Sequence, residues 1–244
     1  MTKTISPIAH IRTEFPDKFG IPRQSGLVPS LRGRIIFEKD YRREEAIRGI
    51  EDYSHLWLIF GFSENETGEK GKKPSLMVTP PRLGGKEKKG VFATRASFRP
   101  NGLGLSCVTL EAVDLTAADG PALIVGGADL LDGTPIYDIK PYLPYADAYP
   151  TARGSFGQTL KDSAISVTDP EGCLEALPEE MREKALSVLR QDPRAAYQKK
   201  PGQICGLAFA GYDIRFTSEA EGLVIRQVVR RDDDFQKIKE KEAK

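Results

Sequence analysis

Four short segments set charged or amide side chains directly beside glycine or proline. The first is Phe19-Gly20-Ile21-Pro22-Arg23-Gln24-Ser25-Gly26-Leu27, and the second is Pro80-Pro81-Arg82-Leu83-Gly84-Gly85. The third runs from Gly90 to Gly102 through Thr94-Arg95 and Phe98-Arg99-Pro100-Asn101. The fourth is Asp129-Leu130-Leu131-Asp132-Gly133-Thr134-Pro135, which continues past Asp138 to Tyr145. Rigid turns of this kind hold a polar head group at a fixed place, as a binding or reaction site requires. The same residues also make ordinary turns between strands, so one segment taken alone fits either reading.

Better-known chemistries do not fit. Asn101-Gly102-Leu103-Gly104-Leu105-Ser106-Cys107 holds a Gly-x-Gly, but the third glycine of a dinucleotide fingerprint would fall on Cys107. The preceding residues Ala96 to Pro100 do not read as an apolar strand, and no Walker A ending is present. His10 and His55 are the two histidines, so no His-rich metal site is expected, and no nucleophile triad can be drawn. His55, inside an apolar run, reads as a satisfied core histidine. The cysteines Cys107, Cys173 and Cys205 are odd in number and widely spaced, which suggests neither disulfides nor zinc and fits a reducing, cytoplasmic compartment.

The elements that must carry these segments are mostly short strands. Arg34 to Phe37, His55 to Phe62, Leu76 to Thr79, Leu105 to Leu115 and Ala122 to Leu130 have β-like composition, with Gly and Pro between them. Glu44 to Gly49 reads as a short helix. The alternation of strands with long helices that a doubly wound sheet needs is missing, so an antiparallel barrel or sandwich is expected. We assign residues 1–150 to a mainly β, barrel-like domain and 151–158 to a linker. Residues 159–235 form a small α+β C-terminal domain, and 236–244 a charged tail. The C-terminal domain should hold a helix from Pro178 to Gln191, with Met181, Ala185, Leu186 and Leu189 on its apolar stripe. Three strands should follow, at Ile204–Ala210, Tyr212–Thr217 and Leu223–Arg230.

Composition supports a soluble globular chain: 244 residues, 39% hydrophobic and 29% charged, with a net charge of +1. Met1 to Arg12 is too polar for a signal peptide, and the apolar run Leu56 to Phe62 is too short to span a membrane. Charge is unevenly placed. Between Gly68 and Arg99, Lys70, Lys72, Lys73, Lys86, Lys88, Lys89, Arg82, Arg95 and Arg99 are opposed by two glutamates, so the rest of the chain is acidic. A basic segment of this kind can hold a phosphate backbone, and it is also what a solvated loop looks like.

Taken together, the segments are more specific than any one of them. The chain resembles the TrmO/TsaA-like family of tRNA N6-adenosine methyltransferases. The resemblance rests on Lys18-Phe19 with Pro22-Arg23-Gln24, Ser54-His55-Leu56-Trp57, Pro80 to Gly85, Gly90 to Gly102, Asp129 to Pro135, and Asp138-Ile139-Lys140-Pro141-Tyr142-Leu143-Pro144-Tyr145-Ala146-Asp147. It covers residues 5 to 150, and Asp192-Pro193-Arg194-Ala195-Ala196-Tyr197 resembles the C-terminal domain of longer members. Ser25 and Gly102 stand where the family commonly has proline.

The resemblance implies a non-Rossmann β-barrel methyltransferase that dimerises and uses S-adenosyl-L-methionine. The implied substrate is a threonylcarbamoylated adenosine beside the anticodon of threonine tRNA. Cofactor contacts would fall on Pro22, Arg23, Gln24, Phe62, Ser63, Arg95, Leu105, Asp132, Gly133, Thr134 and Pro135. N6 of such an adenosine is a poor nucleophile, so a carboxylate base would help, with Asp138 and Asp132 as candidates and Asn101 as an orienting amide. Lys72, Lys73, Arg82, Lys86, Lys88, Lys89 and Arg99 would meet the anticodon stem-loop, and Tyr137, Tyr142 and Tyr145 could stack on bases. A non-enzymatic RNA-binding barrel and a small-molecule methyltransferase are the alternatives. No metal and no membrane are expected.

Overall fold

The computed structural model describes residues 4–63, 75–80, 87–154, 164–194 and 200–231. Lys72, Lys73, Arg82, Lys86, the linker positions 155–158 and the tail 236–244 lie outside the described residues. Six antiparallel strands close into a barrel: β1 (Ala9–Arg12), β2 (Arg32–Phe37), β3 (His55–Gly61), β6 (Leu103–Asp114), β7 (Ala122–Gly126) and β8 (Pro135–Pro141). The order around the barrel is β1-β2-β7-β6-β3-β8. Closure removes the free sheet edges that short, half-apolar strands would otherwise expose. A two-stranded ribbon, β4 (Met77–Val78) with β5 (Lys89–Gly90), stands apart from it.

Period-2 patterning explains which face fills the barrel. In β3, Leu56, Leu58 and Phe60 are buried, and they join Ile11, Ile35, Val108, Leu123, Val125 and Ile136 in one core. Burying each such side chain contributes about 1.5–3 kcal/mol. His55 belongs to the opposite face. It is half-buried rather than a core histidine, with Nδ1 2.9 Å from Ser54 Oγ and its ring 6.0 Å from that of Tyr142. Trp57, on the same face, donates from Nε1 to Asp147 at 3.0 Å, and Asp147 also accepts the Leu143 N–H at 2.9 Å. Asp147 thereby fixes the short helix α1 (Pro144–Asp147) against the barrel wall.

The helix expected from Glu44 to Gly49 is instead a set of 3-10 turns at Lys39–Tyr41, Glu44–Ala46 and Ile50–Asp52. Six residues ended by a glycine give too few i→i−4 bonds to offset helix nucleation.

The C-terminal part is a four-stranded sheet of order β10-β11-β12-β9, built from β9 (Ser166–Thr168), β10 (Ile204–Phe209), β11 (Tyr212–Glu219) and β12 (Gly222–Arg230). Helix α2 (Glu179–Arg190) packs on it through Ala185, Val188 and Leu189, with Met181 and Leu186 partly buried beside them. Glu179 and Glu180 in the first turn oppose the helix dipole favourably. This core also takes in Phe15, Val28 and Leu31. The segment that leads into and out of Pro22-Arg23-Gln24 is thus held between the barrel and the C-terminal sheet.

Candidate active-site cleft

A cleft of about 630 Å³ opens where the ends of β3 and β6 meet three loops. That is in the range of small-molecule sites, roughly 300–1,000 Å³. One loop carries Pro22, Arg23 and Gln24, the second Thr94, Arg95, Ser97 and Arg99, and the third Asp129, Leu130, Leu131 and Thr134. Phe60, Phe62, Leu103 and Leu105 supply apolar surface. Phe60 and Phe62 meet edge to face, with centroids 5.2 Å apart.

Arg95 is exposed and donates from Nη1 to Gln24 Oε1, so the first two loops are joined across the mouth. Gln24 in turn donates to the Arg23 carbonyl. Arg23 reaches the Arg194 carbonyl at 3.5 Å, and buried Arg194 is held by Asp192 at 2.7 Å and by Ser218. The C-terminal part therefore braces the arginine loop from behind. Arg99 bonds the Thr94 carbonyl at 3.2 Å and keeps its own loop folded.

Asp129 is half-buried and accepts the Ser106 hydroxyl at 2.6 Å and the Ser25 backbone N–H. Burial pushes its carboxyl above the usual aspartate range, and this outweighs the opposing influence of Ser106, Arg95 and Ser25.

Among the residues singled out in the sequence, Pro22, Arg23, Gln24, Phe62, Ser63, Arg95, Leu105 and Thr134 are brought together in this cleft. Asp132, Gly133 and Pro135 are not in its lining. Asp132 accepts the Thr13 N–H at 3.0 Å and pairs with Arg12 at 3.1 Å, and Gly133 N–H bonds the Ile11 carbonyl at 2.8 Å. These bonds tie the turn to β1 and set the position of Thr134, whose hydroxyl donates to the Leu131 carbonyl at 2.7 Å.

Asp138 and Asn101 are also absent from the lining. Asp138 pairs with Lys140 at 3.1 Å and is about half exposed, while Asn101 is on the surface. Lys88 is exposed, Lys89 pairs with Glu87, and Arg99 lines the cleft itself. Tyr142 packs against Trp57 with centroids 6.0 Å apart, Tyr137 lies over Gly61, and Tyr145 is almost fully exposed.

Lys18, Ser97, Ser106 and Asp129 do not stand out in the sequence as site residues, yet they line the cleft. Lys18, Ser97 and Asp129 lie inside the family motifs, so motif membership was the available signal. Ser106 had none, because a serine in a strand says nothing about which face it takes.

The arrangement has a cationic rim, aromatic and aliphatic walls, and one carboxylate set deep. It suits a ligand with an anionic end, a flat ring and a cationic or protic centre. Among the described residues no cluster fit for a metal ion occurs, and no helix is long and apolar enough to cross a membrane.

The family described as tRNA-methyltransferase O N-terminal domain matches residues 10–148. A tRNA (adenine(37)-N6)-methyltransferase of Escherichia coli is 43% identical over 83% of this chain and 86% of its own length. A putative S-adenosylmethionine-dependent methyltransferase of Pseudomonas aeruginosa is 41% identical over 88% of this chain and 93% of its own. The crystal structure of TrmO from P. aeruginosa superposes with a TM-score of 0.74 at 34% identity, covering 94% of this chain and 98% of that one.

Proposed function

The chain belongs to the tRNA-methyltransferase O family, and on that premise we propose that it transfers the methyl group of S-adenosylmethionine to N6 of adenine 37 in tRNA. The observation that carries the reading is the convergence of three polar loops on one cleft of suitable volume. The cofactor has a carboxylate, a sulfonium, a ribose and an adenine. Arg23 and Arg95 can grip the carboxylate, and an arginine does so with two parallel bonds. Phe62 and Leu105 can wall the adenine, and Asp129 is the carboxylate among the described residues that line the cleft. When bound, the cofactor supplies an electrophilic methyl carbon. The chain's own residues hold the partners in line and exclude water, from which most of the acceleration of a displacement comes.

We further propose that the substrate is the threonylcarbamoylated adenosine of threonine tRNA, that catalysis occurs in the cytoplasm, and that the working unit is a homodimer. The dimer reading is supported by Leu76, Met77, Phe92 and Phe98, large apolar side chains left exposed on the ribbon and on the loop that carries Arg95.

The test is transfer of labelled methyl from S-adenosylmethionine to purified threonine tRNA with and without the threonylcarbamoyl group. Label confined to adenine 37 of the modified tRNA is the expected result. Cofactor binding without transfer to any tRNA would favour a small-molecule acceptor, and no cofactor binding would leave an RNA-binding barrel.

Binding of tRNA should weaken steeply with salt, because neutralising a phosphate releases counterions, with a slope of roughly 0.7–0.9 per phosphate. Reversing Lys88 and Lys89 to glutamate should lower that slope by about 1 for each lysine that meets a phosphate. Filter binding across a salt series reads this directly, and an unchanged slope would remove both lysines from the RNA face.

A further inference from the structure

Five charged residues are among the described residues that line the cleft. Lys18, Arg23, Arg95 and Arg99 are cations, and Asp129 is the one acid. Its oxygen Oδ1 is fixed by Ser106, itself buried, so the carboxylate is held by the barrel wall as well as by its own turn. The two aspartates that the sequence suggested as bases are engaged elsewhere, Asp138 with Lys140 and Asp132 with Arg12 and Thr13.

We propose that Asp129 is the proton acceptor of this cleft, taking the N6 proton of the adenine as that nitrogen is methylated. The inference rests on the methyltransferase reading above.

An exocyclic adenine nitrogen shares its lone pair with the ring, and a carbamoyl group withdraws it further, so neutral N6 attacks poorly. As the N–C bond forms, positive charge grows on N6 and its N–H becomes acidic. A carboxylate within reach then removes the proton as the charge develops. The balance is complete: N6 gains the methyl carbon and gives its proton to Asp129. The carbon–sulfur bond breaks with its electron pair staying on sulfur, which becomes a neutral thioether. Asp129 later returns the proton to water.

A base works best when its affinity for protons is drawn toward the working pH, and burial moves the Asp129 carboxyl in that direction. The other charged groups that line the cleft, Lys18, Arg23, Arg95 and Arg99, are cations, and of these Arg95 opposes the rise.

Asp129→Asn should cut single-turnover methyl transfer by about 100- to 10,000-fold, the range for a lost general base. Affinity for both S-adenosylmethionine and S-adenosylhomocysteine, by titration calorimetry, should stay within threefold. The acid limb of the wild-type rate–pH profile should vanish in Asp129→Asn. In Ser106→Ala it should move to higher pH, because the Ser106 hydroxyl favours the charged carboxylate.

Folding supplies a readout independent of activity. The folded carboxyl keeps its proton to higher pH than the unfolded one. Stability from this group is therefore full below the unfolded pKa and is lost as pH rises through the folded pKa. Asn carries no such loss, so the Tm of the variant should gain on wild type as pH rises through that window.

Transfer by Asp129→Asn within threefold of wild type would overturn the proposal. So would a selective loss of the cationic cofactor with the thioether product still bound, which would make Asp129 a counter-ion. Absence of transfer by the wild-type protein would instead overturn the methyltransferase reading beneath it.

Discussion

Arg95→Ala should weaken S-adenosylmethionine binding by at least about tenfold, and by up to roughly a hundredfold. A hydrogen bond to a charged group is worth about 1.5–3 kcal/mol, and each 1.4 kcal/mol is a factor of ten. Two losses combine in this variant: the guanidinium that would meet the cofactor carboxylate, and the bond to Gln24 that ties two loops across the cleft mouth. Arg95→Lys should fall between, because an ammonium keeps the charge but not the planar fork. Arg95 is exposed, so the fold should be untouched and the Tm nearly unchanged. Titration calorimetry of the three proteins decides it. Binding by Arg95→Ala within threefold of wild type would remove Arg95 from the cofactor site.

The barrel was legible in the chain because its signals are local. His55 to Gly61 alternates buried and half-exposed residues, and the described residues of the N-terminal part hold no long amphipathic helix to cover a parallel sheet. Two barrel strands were not legible. β1 is four residues long, and β8 begins and ends with proline and carries Tyr137, Asp138 and Lys140. Their membership comes from pairing with β2 and β3, which composition does not encode.

The same irregularity hid the position of Asp138. β8 pairs Asp138 with Ile59 but Ile136 with Phe60, so Tyr137 is an extra residue and the register shifts there. A shift of one residue turns every following side chain to the other face. The choice between Asp129 and Asp132 was hidden for a related reason. They are three residues apart in one turn, and the hydrogen bonds from Thr13, Arg12, Ser25 and Ser106 settle which carboxylate faces inward. Arg23, Gln24 and Arg95, by contrast, were visible because Pro and Gly already confine the loops that hold them.

Gly104→Ala should damage both stability and cofactor binding, and it explains a glycine pair that looks like a nucleotide loop and is not one. Gly104 lies on β6 directly opposite Phe60 of β3. A Cβ there would be 2.2, 2.4 and 2.8 Å from three atoms of the Phe60 ring. That ring is buried in the barrel core and is braced edge-on by Phe62. It cannot move inward without overpacking the barrel, at a cost of about 1–3 kcal/mol, and moving outward fills the cleft. The Tm should fall by roughly 2–4 °C for each kcal/mol of destabilisation, and cofactor affinity should drop at least about tenfold if the ring takes the outward path. Gly102→Ala is the control. Its φ of 59° makes alanine costly by about 1–2 kcal/mol, but nothing lies within 4 Å of the added carbon, so cofactor binding should survive. Adding Phe60→Leu to Gly104→Ala should restore part of the stability, because the two sites share one space and their effects should not add. Full additivity in that double-mutant cycle would mean that the Phe60 ring is not what requires glycine at position 104.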